Sequence, residues 1–448
     1  MRRPQALSLL AAFGLLLAGP AGFWSSLFGL SEPAGMTLSV LAVAGLLWTT
    51  EALPLFVTSF LVLFLNLALL SPTLPQIEDE RFIAPFFSNV ILLFLGGFVL
   101  SAALQKHGLG RRIALLVLAR TGPRPDRVLA GFMGTTALLS MWMSNTATTA
   151  MMLGLAAPIL AELDEDEPFQ TGLLLGVAFA ANLGGLGTPI GTPANAIAMQ
   201  YMAQAGFGIS FLGWLGMALP MLVVLIVFAW WTLARSYPPK AKDLALGLEG
   251  REMSRQAPLV ASTAILTILG WLTGGLHGLS SGTIALIPIL VLFGSRALET
   301  SDFRGLPWDV LMLAGGGLSL GVAVSASGLA EAIVGLVPTK ASGFAVAASF
   351  AVLACGISTF MSNTATANLL IPVALGLPPS MVKSVLVAVA MACSVSMTLP
   401  VTTPPNAMAF ASGRLEVRDM IRLGGVLSVL GVGGILLSAL AWRTLGLP

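Results

Sequence analysis

Apolar runs of about 20 residues, parted by short polar turns, fill almost the whole chain. A helix needs about that length to cross the hydrocarbon of a bilayer. The pattern predicts eleven spans, near 5–29, 36–50, 53–71, 86–105, 170–202, 209–234, 257–276, 281–295, 308–336, 382–411 and 421–442. Two more apolar segments, near 128–160 and 342–376, carry a polar run at their middle: "MSNTATTAMM" from Met143 and "MSNTATANLL" from Met361. They read as re-entrant hairpins, entering and leaving on one side. The expected fold is an all-α polytopic membrane protein of about eleven transmembrane helices plus two hairpins.

Composition agrees with a lipid solvent. Hydrophobic residues make up 56% of the 448 and charged residues only 9%, where a soluble chain averages about 25% charged. That excludes a soluble cytosolic enzyme, and a net charge of +2 gives no reason to expect nucleic acid. The start, "MRRPQALSLLAAFGLLLAGPAGFW", imitates a secretory signal but reads as a retained first span over 1–35. With the N-terminus cytoplasmic and both hairpins re-entrant, 18 of the 22 Lys and Arg fall on the cytoplasmic side. Only Arg81, Lys340, Lys383 and Arg443 fall outside. That satisfies the positive-inside rule and places the C-terminus outside, in an inner (cytoplasmic) membrane. The stretch 236–256 becomes a cytoplasmic linker, and "ELDEDEP" (162–168) a solvated loop.

The chain also repeats itself. "NVILLFLGGFVLSAALQKHGL" from Asn89 returns 220 positions later as "DVLMLAGGGLSLGVAVSASGL" from Asp309. The Ser-Asn-Thr runs lie 218 apart, and "GTPANAIAM" from Gly191 returns 211 later as "TTPPNAMAF" from Thr402. An odd number of crossings separates the copies, so repeat one (36–235) and repeat two (257–448) are inverted in the membrane. Inverted repeats with helices broken near the midplane are the pattern of secondary transporters.

The polar breaks carry the candidate chemistry. Ser144, Asn145 and Thr146 fall at the first hairpin tip, and Ser362, Asn363 and Thr364 at the second. Ser and Asn are good N-caps, and helix N-termini attract anions through free N–H groups and the dipole. "GGLGTPIGTPANA" (184–196) and "TLPVTTPPNA" (398–407) interrupt two spans with Gly and Pro, freeing carbonyl oxygens that, with the amide side chains there, suit Na⁺. Helix caps and simple proline kinks are the plainer alternatives. No Asp, Glu, Lys, Arg or His lies in either hairpin core or either break. Hydrolysis, group transfer or a proton relay would call for such groups. A dianion entering here needs bound cations for counter-charge. His107 and His277 stand alone near span ends, and Cys355 and Cys393 read as small buried hydrophobes.

At these residues the sequence resembles the divalent anion/sodium symporter family, which carries citrate, succinate and other dicarboxylates, or sulfate. "TEALPL" (50–55), both "SNT" runs, "GTPANA" and "TTPPNA" carry the likeness over nearly the whole chain. The resemblance implies a homodimer working as an elevator, with a transport domain from 128–235 and 342–442 moving against a scaffold formed by the remainder. It implies substrate contacts from Ser144, Asn145, Thr146, Ser362, Asn363, Thr364, Thr403 and Pro404. It implies at least two Na⁺ sites: one at Ser140, Ser144, Asn145 and the Gly191 carbonyl, the other at Ser358, Met361, Asn363 and the Thr402 carbonyl. The expected activity is Na⁺-coupled import of C4-type dicarboxylates. Sodium-independent dicarboxylate exchange and Na⁺/sulfate symport remain the alternatives.

Overall fold

The computed structural model describes residues 3–20, 22–164, 166–244, 254–335 and 342–445. All regular structure among them is helical. Six helices are long and apolar enough to cross a membrane: Glu32–Thr50, Leu55–Thr73, Glu80–Lys106, Phe211–Ser236, Trp308–Ala326 and Val417–Ser438. The other expected spans are shorter or divided. Span 170–202 becomes helices Pro168–Gly185 and Pro193–Gln204, and span 382–411 becomes Pro379–Val395 and Pro404–Phe410. The reason is local: Pro193 and Pro404 lack the N–H that would continue a helix, but suit its first turn. Span 308–336 stops at Ala326 and resumes as Leu329–Val334 after Gly328, whose φ of 77° is left-handed.

Each polar run breaks its segment in two. The first hairpin pairs Pro125–Ser140 with Asn145–Ala161, and the second pairs Gly343–Ser358 with Asn363–Ala374. The first arm of each lies along the helix that follows it, 168–185 or 379–395. The second arms cross over: 145–161 touches 404–410 of the other half, and 363–374 touches 193–204. These elements share the largest hydrophobic core. A second core gathers 32–50, 55–65 and 308–326.

Helix 308–326 is the seam between the two cores. A Cβ at Gly315 would stand 2.7 Å from Phe86, at Gly316 2.2 Å from Ser59, at Gly317 1.9 Å from Asn368, and at Gly321 1.8 Å from Tyr201 Oη. Only glycine admits neighbours that close. Two of those neighbours then bond to its backbone: Asn368 Nδ2 donates to Leu313 O at 2.8 Å and Tyr201 Oη to Gly317 O at 2.9 Å.

The acidic run is not simply a solvated loop. Glu167 is only 6% exposed. Its carboxylate accepts from the backbone N–H of Phe169 (3.3 Å), Lys240 (2.9 Å) and Ala241 (3.3 Å), strapping the start of the linker to the foot of the first hairpin. Lys240 pairs with Asp166 and holds that carboxyl below the usual carboxylate range. The middle of the linker (245–253), Arg2 and Lys340 lie outside the described residues.

Gly321→Ala should destabilise the protein by about 1–3 kcal/mol, because the Tyr201 ring is buried and rigid where the methyl must go. A thermal-shift midpoint in detergent that matches wild type would show that Tyr201 swings aside freely.

Candidate functional site

The two tips are built alike, atom by atom. Ser144 caps helix 145–161 at φ −60°, ψ 138°, its Oγ accepting from Ala147 N at 3.1 Å. Ser362 caps helix 363–374 at φ −62°, ψ 141°, accepting from Ala365 N at 3.1 Å. The N–H groups of Asn145 and Thr146, and of Asn363 and Thr364, take no partner among the described residues. Each tip therefore offers two free donors backed by a helix dipole, with no cationic side chain.

Beneath each tip lies a knot of oxygens. Ser140 Oγ is 2.6 Å from Asn145 Oδ1 and 2.8 Å from Ala181 O. Ser358 Oγ is 2.6 Å from Asn363 Oδ1 and 3.2 Å from Cys393 O. A serine hydroxyl has one proton, so it cannot donate to both neighbours. Turning the amide over would let Nδ2 donate instead and satisfy the cluster without an ion. With Oδ1 inward, three neutral hard oxygens converge. That set fits Na⁺; no group of three or more His, Cys, Asp or Glu suited to a metal occurs among the described residues.

Each break is tied to its tip and held open by an asparagine. Asn195 Nδ2 donates to Gly185 O and Thr188 O, both at 2.9 Å. Asn406 Nδ2 donates to Met397 O and Leu399 O, both at 3.0 Å. Thr192 (φ −140°, ψ 148°) and Thr403 (φ −143°, ψ 151°) share one backbone path, although the sequence reads TPAN in one and TPPN in the other. Thr188 Oγ1 donates to Met141 O, and Thr402 Oγ1 to Thr359 O at 3.0 Å. Met141 and Thr359 are corresponding residues of the two tips.

A run of contacts links several of the predicted residues. The Asn145 amide sits about 2.9 Å from where a Cβ on Gly185 would be, and Thr192 Cγ2 lies 2.6 Å from the same point. Thr192 Oγ1 is 3.4 Å from Ser394 Oγ, and Ser394 follows the Cys393 whose carbonyl faces Ser358. Contacts thus run from the first tip to the second. Gly191 joins them through Gly185, whose carbonyl would lie 2.3 Å from a Cβ there. Ser144, Asn145, Ser362 and Asn363 are half-buried, Thr364 and Thr403 buried, and Thr146 and Pro404 exposed. Met361 is buried, its sulfur 3.5 Å from Thr49 Oγ1.

Sequence reading gave no roles to Ser394 or the carbonyls of Ala181 and Cys393, and took the break amides of Asn195 and Asn406 only as oxygen donors for Na⁺, where the structure shows their Nδ2 groups holding carbonyls. The two asparagines did have a signal, since they stand at the same place in "TPAN" and "TPPN". The carbonyls had none. His107 is a buried structural histidine, bonded to Ser254 Oγ (2.9 Å) and Ala297 O (3.0 Å). A cavity of about 390 Å³ at the foot of the first hairpin, lined by Glu162, Asp164, Glu167, Lys240 and Asp243, is remote from the tip along helix 145–161.

The sequence profile described as "Citrate transporter" matches residues 45–393. The chain belongs to the citrate transporter family. This transporter is 30% identical, over 94% of its length, to the sodium-dependent dicarboxylate transporter SdcS of Staphylococcus saprophyticus, and covers 89% of that protein. It is 32% identical to an uncharacterized transporter of Schizosaccharomyces pombe over 86% of its own length, but spans only 47% of that relative. It is also 32% identical, over 75% of its length, to 38% of the inorganic phosphate transporter PHO87 of Saccharomyces cerevisiae. Its fold resembles the YdaH transporter of Alcanivorax borkumensis, with a TM-score of 0.56 at 14% identity over 88% of this transporter and 99% of that chain. It also resembles MtrF of Neisseria gonorrhoeae, with a TM-score of 0.55 at 13% identity over 92% and 95%. The transporter is thus a multi-pass membrane protein and not an enzyme.

Asn406→Ala should leave the carbonyls of Met397 and Leu399 without their donor and cost about 1–3 kcal/mol for each carbonyl left unpaired. Asn195→Ala should do the same at Gly185 and Thr188. Unfolding midpoints in detergent equal to wild type for both variants would mean that water replaces the amides without loss.

Proposed function

We propose that the protein is a Na⁺-coupled symporter that imports divalent anions, C4-type dicarboxylates such as succinate foremost. The observation that carries this reading is the pair of matched Ser-Asn-carbonyl knots, each directly beneath a helix N-terminus with free donors. One substrate carboxylate binds between the tips, on the N–H groups and side chains of Ser144, Asn145, Thr146, Ser362, Asn363 and Thr364, with Thr403 and Pro404 at its side. One Na⁺ sits with Ser140, Ser144, Asn145 and the Gly191 carbonyl, a second with Ser358, Met361, Asn363 and the Thr402 carbonyl. Those cations supply the counter-charge that the side chains lack. The name of the staphylococcal relative supports the same pairing of sodium with dicarboxylate.

The division into two cores supports an elevator motion. The hairpins, with 168–235 and 379–442, form a transport domain that carries the site across a scaffold seated in the membrane as a homodimer, N-terminus inside and C-terminus outside. The phosphate transporter among the relatives favours a second reading, in which the anion is inorganic. Both tips would serve either anion, since their donors are backbone N–H groups.

Uptake of succinate into proteoliposomes decides between these. An inward Na⁺ gradient should drive it, a K⁺ gradient should not, and excess sulfate or phosphate should compete weakly. Strong competition with little succinate uptake would move the reading to inorganic anions; Na⁺-indifferent uptake driven by internal dicarboxylate would make the protein an exchanger. Asn145→Ala and Asn363→Ala should each raise the Na⁺ needed for half-maximal uptake roughly tenfold, the loss of about 1.4 kcal/mol from one ligand. Unchanged Na⁺ dependence in both would sink the cation assignment.

A further inference from the structure

Helix Leu109–Leu118 joins the scaffold-side helix 89–106 to the first hairpin, turning on Gly108 at φ 72°. Its buried face, Gly110, Ala114 and Leu118, recurs every fourth residue. That face grips the hairpin at two points. A Cβ at Gly110 would stand 3.2 Å from Met143 Sδ at the tip and 3.3 Å from Met151 Sδ. A Cβ at Gly131 on the first arm would stand 3.3 Å from Leu118 Cδ2 and 2.4 Å from Thr121 Cγ2.

The rest of the helix is divided between grease and charge. Ile113, Leu116 and Val117, three and four positions apart, share a side and are 37%, 48% and 36% exposed. Arg111 and Arg112 flank half-buried Leu115 in the remaining sector, and Arg120, Arg124 and Arg127 follow. The only acid between 106 and 127 is Asp126, paired with Arg124 at 3.1 Å. Lys106 is occupied by Asp302 at 2.6 Å. Among the described residues no carboxylate pairs with Arg111, Arg112, Arg120 or Arg127. Arg111 Nε is shut away from solvent with no hydrogen-bond partner among those residues, and Arg120 Nη1 folds back onto Leu116 O at 2.7 Å. The matching turn in the second half, after Gly328, leads to Leu329–Val334, which carries Glu331 and no Lys or Arg. Helix 109–118 thus carries two arginines where its counterpart carries none.

A helix with one apolar exposed side and arginines beside it suits the headgroup layer of a bilayer, where anionic lipid attracts each basic residue. We propose that helix Leu109–Leu118 and the turn after it dock on anionic phospholipid through Arg111, Arg112 and Arg120, with Ile113, Leu116 and Val117 in the acyl region. Because its other face holds Met143 and the first arm, this docking fixes the helix against which the hairpin tip moves. The lipid thereby sets the rate of transport without touching the substrate.

A reporter on the helix tests this in the full-length protein. Val117→Cys, in a background of Cys355→Ala and Cys393→Ala, is labelled with an environment-sensitive fluorophore and reconstituted in phosphatidylcholine vesicles. Spin-labelled phosphatidylglycerol should quench it in preference to spin-labelled phosphatidylcholine, by a factor on the order of ten. Arg111→Gln, Arg112→Gln and Arg120→Gln together should erase the preference, and Lys at the same three positions should restore it, which also shows that the variant folds. Equal quenching by the two lipids, or quenching by neither, overturns the docking; a preference that survives the three Gln changes overturns the assignment to these arginines. Wild-type uptake should rise several-fold when phosphatidylglycerol is included and the Gln variant should not respond; a wild-type rate indifferent to it overturns the link to transport. The quenching result stands apart from the identity of the substrate.

Discussion

Backbone carbonyls and amides have no water to bond to inside a bilayer, and an unpaired one costs several kcal/mol. A membrane chain whose helices are interrupted meets that constraint four times over, at two tips and two breaks. The structure answers it with side-chain amides. Asn195 and Asn406 each collect two carbonyls that the breaks release, and threonine hydroxyls from the same breaks take one carbonyl at each tip. With those carbonyls satisfied from within the breaks, the serines and asparagines below the tips bond to one another and to the carbonyls of Ala181 and Cys393. Remove the amides, and the strands of irregular chain around the site have no reason to keep their path.

The two halves solve the problem with different residues around a common plan. Tip one and its break use Met141, Gly185 and Gly191, where tip two uses Thr359, Ser396 and Thr402. In the first half glycines let the chain close in until Gly185 lies against both Asn145 and Thr192. In the second half hydroxyls fill the same space and bond to one another, as Thr359 Oγ1 and Ser396 Oγ do at 2.9 Å. Close packing in one half and hydrogen bonding in the other reach the same Ser–Asn distance of 2.6 Å.

Much of this was legible beforehand because the chain is written twice. A Ser-Asn-Thr run that returns with its neighbours in order is hard to read as a chance cap, and both tips have the N-cap geometry those letters favour. The interrupted spans were also visible as Gly-Thr-Pro and Thr-Thr-Pro. What stayed hidden depends on the third dimension. The Ala181 and Cys393 carbonyls are ligand-like only because helices 168–185 and 379–395 pass beside the hairpins. Nothing in the sequence marks Tyr201 or Asn368; their meaning appears when helix 308–326 presents Gly317 and Gly321 to them. Glu167 read as one acid among several, and nothing in the letters separates it from Asp164 or Asp166. Its burial against the linker amides does.

The four segments that form the tips and breaks carry no ionisable side chain: from Ser140 to Thr149, Gly184 to Ala196, Ser358 to Asn368 and Ser396 to Ala407 there is no Asp, Glu, Lys, Arg or His. A receptor made of amides, hydroxyls and dipoles keeps the same charge from mildly acidic to mildly alkaline water. On the proposed reading, the acidity dependence of anion binding comes from the visitor. A weak acid passing between its singly and doubly ionised forms would write its own dissociation curve onto the binding isotherm, and the midpoint of that curve would name the ligand's pKa rather than the protein's.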